Sequence, residues 1–118
     1  MYCSKFTPEA LNDVKQLPKN VRNGLKREFE KKLHVDPVSC SDPLGGDLKE
    51  FRSFHYGNYR IIFRVFEDIQ AVAVVGVGEK DADHHAEIYK QLEILARSGK
   101  LAATVVETYR ALSARQKS

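Results

Sequence analysis

An α+β fold, built from a small antiparallel sheet of three to four strands with an N-terminal helical hairpin on one face and helices after it, is predicted by three features of this sequence. Residues 44–80 combine two-residue alternation with turn chemistry and a β-branched run, which marks strands. Residues 7–34 carry apolar positions at helical spacing, and so do residues 81–115. At 118 residues, 42% hydrophobic and 30% charged, the chain suits one domain with one core. Residues 1–98 are expected to form that domain, and 99–118 an extra C-terminal helix packed on it.

Residues 2–6 alternate weakly and are a candidate edge or parallel strand. Thr7-Pro8-Glu9 reads as an N-cap, a first-turn proline and an acidic first turn, opening a short helix whose Leu11, Val14 and Leu17 share a stripe. Pro18 ends it. A second helix, about 19–34, places Val21, Leu25, Phe29 and Leu33 at successive fourth positions. Gly24 weakens that helix by roughly 1 kcal/mol unless close packing requires a missing side chain there. Asp36-Pro37 to Gly45-Gly46 is a surface loop; its lone glycine pair is no phosphate cradle, and no cofactor is implied.

Three strands follow, at about 48–55, 59–66 and 70–77. Their pairing decides which side chains share a face. A three-residue connection, Tyr56-Gly57-Asn58, puts Phe51, Ser53 and His55 opposite Phe63, Ile61 and Tyr59 on a core face, leaving Glu50, Arg52, Phe54, Arg60, Ile62 and Arg64 on the other. A two-residue connection pairs Arg52 with Phe63 and Phe51 with Arg64, mixing charge with aromatics, so the longer loop is expected. The arginine face then has no helical cover and is a candidate binding surface. The run Ala71-Val72-Ala73-Val74-Val75 predicts a strand buried on both faces, with residues 2–6 as its outer neighbour. Either aspartate of Asp81-Ala82-Asp83 can cap a helix carrying Ile88, Leu92 and Leu95. Ser98-Gly99 stops it, and a last helix presents Leu101, Val105, Tyr109 and Leu112.

No apolar run is long enough to span a membrane, and the start lacks a signal-peptide stretch, so a cytoplasmic location is expected. Cys3 and Cys40 have neither CxxC nor zinc-finger spacing and read as reduced thiols. The net charge of +3 is modest. Its distribution is more informative: Lys19, Arg22, Lys26, Arg27, Lys31 and Lys32 crowd one helix, which is either a solvated face or a polyanion-binding one.

The order of a basic helix, Asp-Pro, Leu44-Gly45-Gly46, a strand with Arg52, then Gly57-Asn58-Tyr59-Arg60-Ile61-Ile62-Phe63 and a strand ending Val77-Gly78-Glu79-Lys80 resembles the RelE/ParE superfamily of bacterial toxins. The resemblance covers about residues 1–95. It implies a toxin of a type II toxin–antitoxin pair, with a cognate antitoxin as partner. The RelE-like branch cleaves messenger RNA on the ribosome without metal or cofactor; the ParE-like branch inhibits DNA gyrase. The RelE-like branch is the expected one, with a gyrase inhibitor or an inactive interaction module of the same fold as alternatives. The oligomeric state is open.

By motif position the resemblance assigns catalysis to Arg52, Arg60, Lys80 and Tyr89. Arg60 matches the hairpin arginine and Lys80 the basic residue after the last strand. Arg52 matches the first of two strand lysines, whose second position is Phe54 here, and Tyr89 matches a C-terminal-helix tyrosine. Chemistry adds His85. Transfer of the ribose 2′ proton needs a group titrating near neutrality, which arginine cannot supply, and His85 shares a helix face with Tyr89 four residues on. A solvated helix end is the competing reading of His84-His85. Asp81, His85 and Glu87 lack further ligands at fixed spacing, so no metal site is expected. Lys49 and Arg64 are candidate RNA-backbone contacts, against a solvated lysine and a cross-strand Arg64–Glu50 ion pair. His55 reads as a loop histidine.

Overall fold

The computed structural model describes residues 2–79 and 87–117. A five-stranded mixed sheet runs in the order β1-β5-β4-β3-β2, made by β1 (Cys3–Phe6), β2 (Asp42–Pro43), β3 (Arg52–Tyr56), β4 (Tyr59–Phe66) and β5 (Ala71–Glu79). Only β1 and β5 pair in parallel; the other pairs are antiparallel. The sheet thus exceeds the expected three or four strands by the short β2, which has only two residues and no hydrophobic alternation to betray it. Residues 46–48 form a 3-10 turn rather than the start of a strand. The β5 run is buried from Ala71 to Val77, as a strand covered on both faces must be.

Helices α1 (Pro8–Lys15) and α2 (Lys19–Glu28) cover one face. Thr7 caps α1, its hydroxyl accepting from the Ala10 amide at 3.2 Å. The buried residue of α1 is Ala10, whereas Leu11, expected on the packed stripe, is about half exposed. The backbone approach that seats Ala10 is fixed by Asp13, whose Oδ2 accepts from the Val77 amide of β5 at 3.1 Å. Burial pushes the Asp13 carboxyl above its ordinary range, against the opposing effect of that hydrogen bond. After α2 the chain widens into a π-helical turn, Phe29–Leu33. Residues at every fourth position drift around an α-helix by about 40° per step. The wider turn offsets that drift, so that Leu25, Phe29 and Leu33 all stay buried. Gly24 lies against β3: a Cβ there would stand 2.0 Å from the Tyr56 hydroxyl oxygen.

Helices α3 (Glu87–Ser98) and α4 (Lys100–Lys117) cover the second face. Gly76 and Gly78 admit α3 closely, since a Cβ at either would press on Ile88, and at Gly76 also on Leu92. The far end of α3 is tied to the 3-10 turn by Arg97 donating to Asp47 at 2.8 Å. Gly99, at φ +83, lets the chain reverse into α4. Leu101, Val105, Thr108 and Leu112 of α4 are buried, and Tyr109 packs edge-on against Phe66 while donating to Asp68 at 2.6 Å. That hydrogen bond holds the phenol pKa above its usual value. Among the described residues no helix is long and apolar enough to cross a membrane.

The β3–β4 hairpin overturns the expected register. It closes through two residues, Gly57-Asn58, pairing Tyr56 with Tyr59, His55 with Arg60, Phe54 with Ile61, Ser53 with Ile62 and Arg52 with Phe63. Gly57 takes φ +57 at the first central position, as a tight two-residue hairpin turn demands. Alternation misleads here because it presumes one clean apolar face. Both faces are helix-covered, so both need apolar centres, and the charged residues are displaced to the margins. Phe54, Ile61 and Phe63 lie under α1 and α2; Ser53, His55, Arg60, Ile62, Arg64 and Phe66 belong to the α3/α4 face. The face expected to be bare is therefore covered by α3 and α4.

Candidate functional site

Among the described residues, the α3/α4 side of the sheet holds a cleft of about 420 Å³, lined by Asp42, Leu44, Gly45, Leu48, Ser53, His55, Tyr89 and Glu93. Three elements build it. The β2–β3 ladder sets Asp42 opposite Ser53, the β3–β4 ladder sets His55 beside Arg60, and α3 brings Tyr89 and Glu93 to the cleft wall. The Tyr89 hydroxyl and the buried Ser53 Oγ are 3.1 Å apart, which fixes the phenol on that wall. His55 Nε2 stands 3.7 Å from Asp42 Oδ2, and the His55 side chain is about half exposed.

Arg60 curls back on the turn, its Nη1 donating to the carbonyls of Gly57 and Tyr59 at 2.9 Å each. Its Nε is buried and finds no hydrogen-bond partner among the described residues. Such a donor costs roughly 1–3 kcal/mol unless something supplies an acceptor.

Of the residues singled out from the sequence, Tyr89 lines this cleft and Arg60 stands beside it, opposite His55 in the ladder. Arg52 does neither: the two-residue turn puts it on the opposite face from Arg60. There its guanidinium clamps the loop before β2, Nε donating to Ser41 Oγ at 2.7 Å and Nη2 to the carbonyls of Ser41 and Val38 at 2.8 and 3.1 Å. Arg64 shares the face of Arg60 but lies towards α4, pairing with Glu50 at 3.5 Å and stacking over Phe66. Lys49 is exposed just beyond the 3-10 turn. Lys80, His84 and His85, with the capping aspartates, lie outside the described residues. Among the described residues no group of three His, Cys, Asp or Glu is placed to hold a metal ion.

Ser53 and His55 are lining residues of the cleft that face composition hides. Their signal lies in the Gly-Asn dipeptide, whose preference for two-residue turns puts His55 on the arginine's face. It also moves the two alternate positions facing Arg60 from Arg52 and Phe54 to Ser53 and His55.

Comparison with known proteins supports the same reading of the fold. The curated Toxin RelG of Mycobacterium tuberculosis is 27% identical over 90 residues, covering 76% of this chain and 98% of that protein. Among solved structures, the RelBE2 toxin–antitoxin complex of Mycobacterium tuberculosis contains a chain similar at TM-score 0.64 and 24% identity, over 67% of this chain and 98% of that one. The isolated E. coli RelE toxin is similar at TM-score 0.59 and 21% identity, over 78% and 99%. At those identities the structures establish the shared fold. The model of the family described as ParE toxin of type II toxin–antitoxin systems matches residues 5–89. The chain belongs to that family, within the RelE/ParE superfamily, and is a toxin of a type II toxin–antitoxin system.

Proposed function

We propose that this toxin is a ribosome-dependent mRNA endonuclease, neutralised by a cognate antitoxin. The observation that carries the reading is that Tyr89, Ser53 and His55 line one cleft on the α3/α4 side of the sheet, with Arg60 opposite His55 in the adjoining ladder. Cleavage without metal proceeds by attack of the ribose 2′-oxygen on the adjacent phosphorus. The 2′-hydroxyl must lose a proton, the phosphorane needs fixed positive charge, and the departing 5′-oxygen needs a proton. Arg60 suits the second of these needs, because its fork stays charged and matches phosphate oxygens. Tyr89 presents a hydroxyl for stacking or proton donation. Lys80 and His85 are proposed as further contributors by their place in the family motif. Arg52 acts indirectly in this scheme, by fixing the loop that leads into β2 and so the cleft wall. Lys49 and the basic surface of α2 are proposed to meet the polyanionic ribosome–mRNA complex.

A second reading, inhibition of DNA gyrase, is favoured by the ParE description of the matching family. Induced expression of the full chain separates the two. The nuclease reading expects translation to stop within minutes, with mRNA cut in ribosome-bound frames and the chromosome intact. Double-strand DNA breaks with undamaged mRNA would replace it by the gyrase reading.

A further inference from the structure

The cleft holds one described group whose side-chain type suits the proton-removal step. Arginine stays protonated at every physiological pH, which sets Arg60 aside. Neither a phenol nor a carboxylate is a side-chain type matched to taking up a proton at neutrality. Ser53 is a buried alcohol beside the phenol. A histidine ordinarily titrates at about 6.5 and can take a proton at neutral pH and return it. His55 meets the geometric needs as well. It lines the cleft, its imidazole is half exposed, the ladder puts it opposite the proposed phosphate-binding arginine, and Asp42 stands 3.7 Å from its Nε2.

We propose that His55 is the catalytic base of this cleft, with Asp42 as its positioning residue; this rests on the ribonuclease reading. The 2′-hydroxyl proton passes to the imidazole as its oxygen's electron pair forms the O2′–P bond. The P–O5′ bond breaks, and the 5′-oxygen leaves with that bonding pair and takes a proton from the Tyr89 hydroxyl or water. The products are a 2′,3′-cyclic phosphate and a 5′-hydroxyl end, and the imidazolium returns its proton to solvent. The carboxylate of Asp42, held by the β2–β3 ladder, orients the ring and stabilises the imidazolium formed. The short β2 thereby acquires a purpose.

The test is single-turnover cleavage of ribosome-bound mRNA by the full-length parent, His55→Gln, His85→Gln and Asp42→Asn, with ribosome binding and melting temperature measured for each. The expected result is a 10²- to 10⁴-fold slower step for His55→Gln, with binding and melting unchanged. Asp42→Asn should move the acid limb of the pH–rate profile to lower pH, because the imidazolium loses its counter-charge while Tyr89 and Glu93 of the cleft lining, and Arg60 opposite His55 in the ladder, are unaltered. A merely structural Asp42 would leave that limb in place. Parental rates for His55→Gln alongside a large loss for His85→Gln would overturn the proposal and leave the nuclease reading standing. A parent that cleaves no mRNA on any ribosomal complex would overturn both.

Discussion

The two faces of the sheet are built by the same strands and end differently. Under α1 and α2, the side chains of Phe54, Ile61, Phe63, Val72, Val74 and Val77 are all buried, and Arg52 is held at the margin by loop oxygens. Under α3 and α4, the apolar centre of Ile62, Phe66, Ala73 and Val75 gives way at the hairpin end to Ser53, His55 and Arg60. The difference is one of coverage. Helix α3 crosses from the glycines of β5 to the 3-10 turn, and the strand ends beyond its path are left to polar groups. One face is packed under α1 and α2; the other is packed under α4 and holds the cleft near the start of α3.

If that division is right, truncation on the closed face should be the most costly. Phe63→Ala, at a site with no exposed surface, is expected to lose about 3–5 kcal/mol by chemical denaturation. Leu112→Ala tests whether α4 is as much a part of the core on its side; its full burial predicts a loss of roughly 2–5 kcal/mol. A loss below about 1 kcal/mol would make α4 a loosely held tail and would break the symmetry of the two covers.

Gly24→Ala probes the closed face from the helix side. On an exposed helix this change stabilises by about 1 kcal/mol, but here the new methyl meets the Tyr56 hydroxyl, so a net loss of about 1–3 kcal/mol is expected. Combination with Tyr56→Phe, which removes the clashing oxygen, should recover part of it.

The smallest effect is assigned to Asp13. Its carboxyl is raised by burial, so between the unfolded value near 3.8 and the raised folded value the native chain holds more protons, and stability falls as pH rises through that window. The penalty is fully present at neutral pH. The carboxamide of an Asp13→Asn variant can still accept from the Val77 amide without it. The variant should therefore melt higher than the parent at pH 7, and the advantage should vanish below about pH 4.

What was legible in the sequence follows from the same contrast. Elements with a strong local signal were readable: the Thr7-Pro8 cap, the Ile88–Leu92 stripe, the doubly buried β5 run and its parallel neighbour β1. The two-residue β2 and the π turn carry no period of their own and exist through tertiary pairing. The candidate site was legible in part. Arg60 and Tyr89 stand at recognisable motif positions, whereas His55 and Ser53 are hidden when charges are counted face by face. Such a count leaves out the loop carbonyls that absorb Arg52, and the second helical layer that gives the other face its apolar centre. In this hairpin, turn chemistry outweighed face composition.

The cleft on the α3/α4 side, with Arg60 beside it, is proposed as the nuclease site, and Arg60→Ala tests that placement most directly. Among the described residues the arginine's hydrogen bonds go to the turn carbonyls of Gly57 and Tyr59, so folding stability should fall by about 1 kcal/mol or less. Single-turnover cleavage of ribosome-bound mRNA should fall by about 10²- to 10³-fold, the usual loss when a preorganised donor to a developing anion is removed. An Arg60→Ala protein that cleaves at the parental rate, or one that loses activity only in proportion to its loss of folded protein, would contradict that placement.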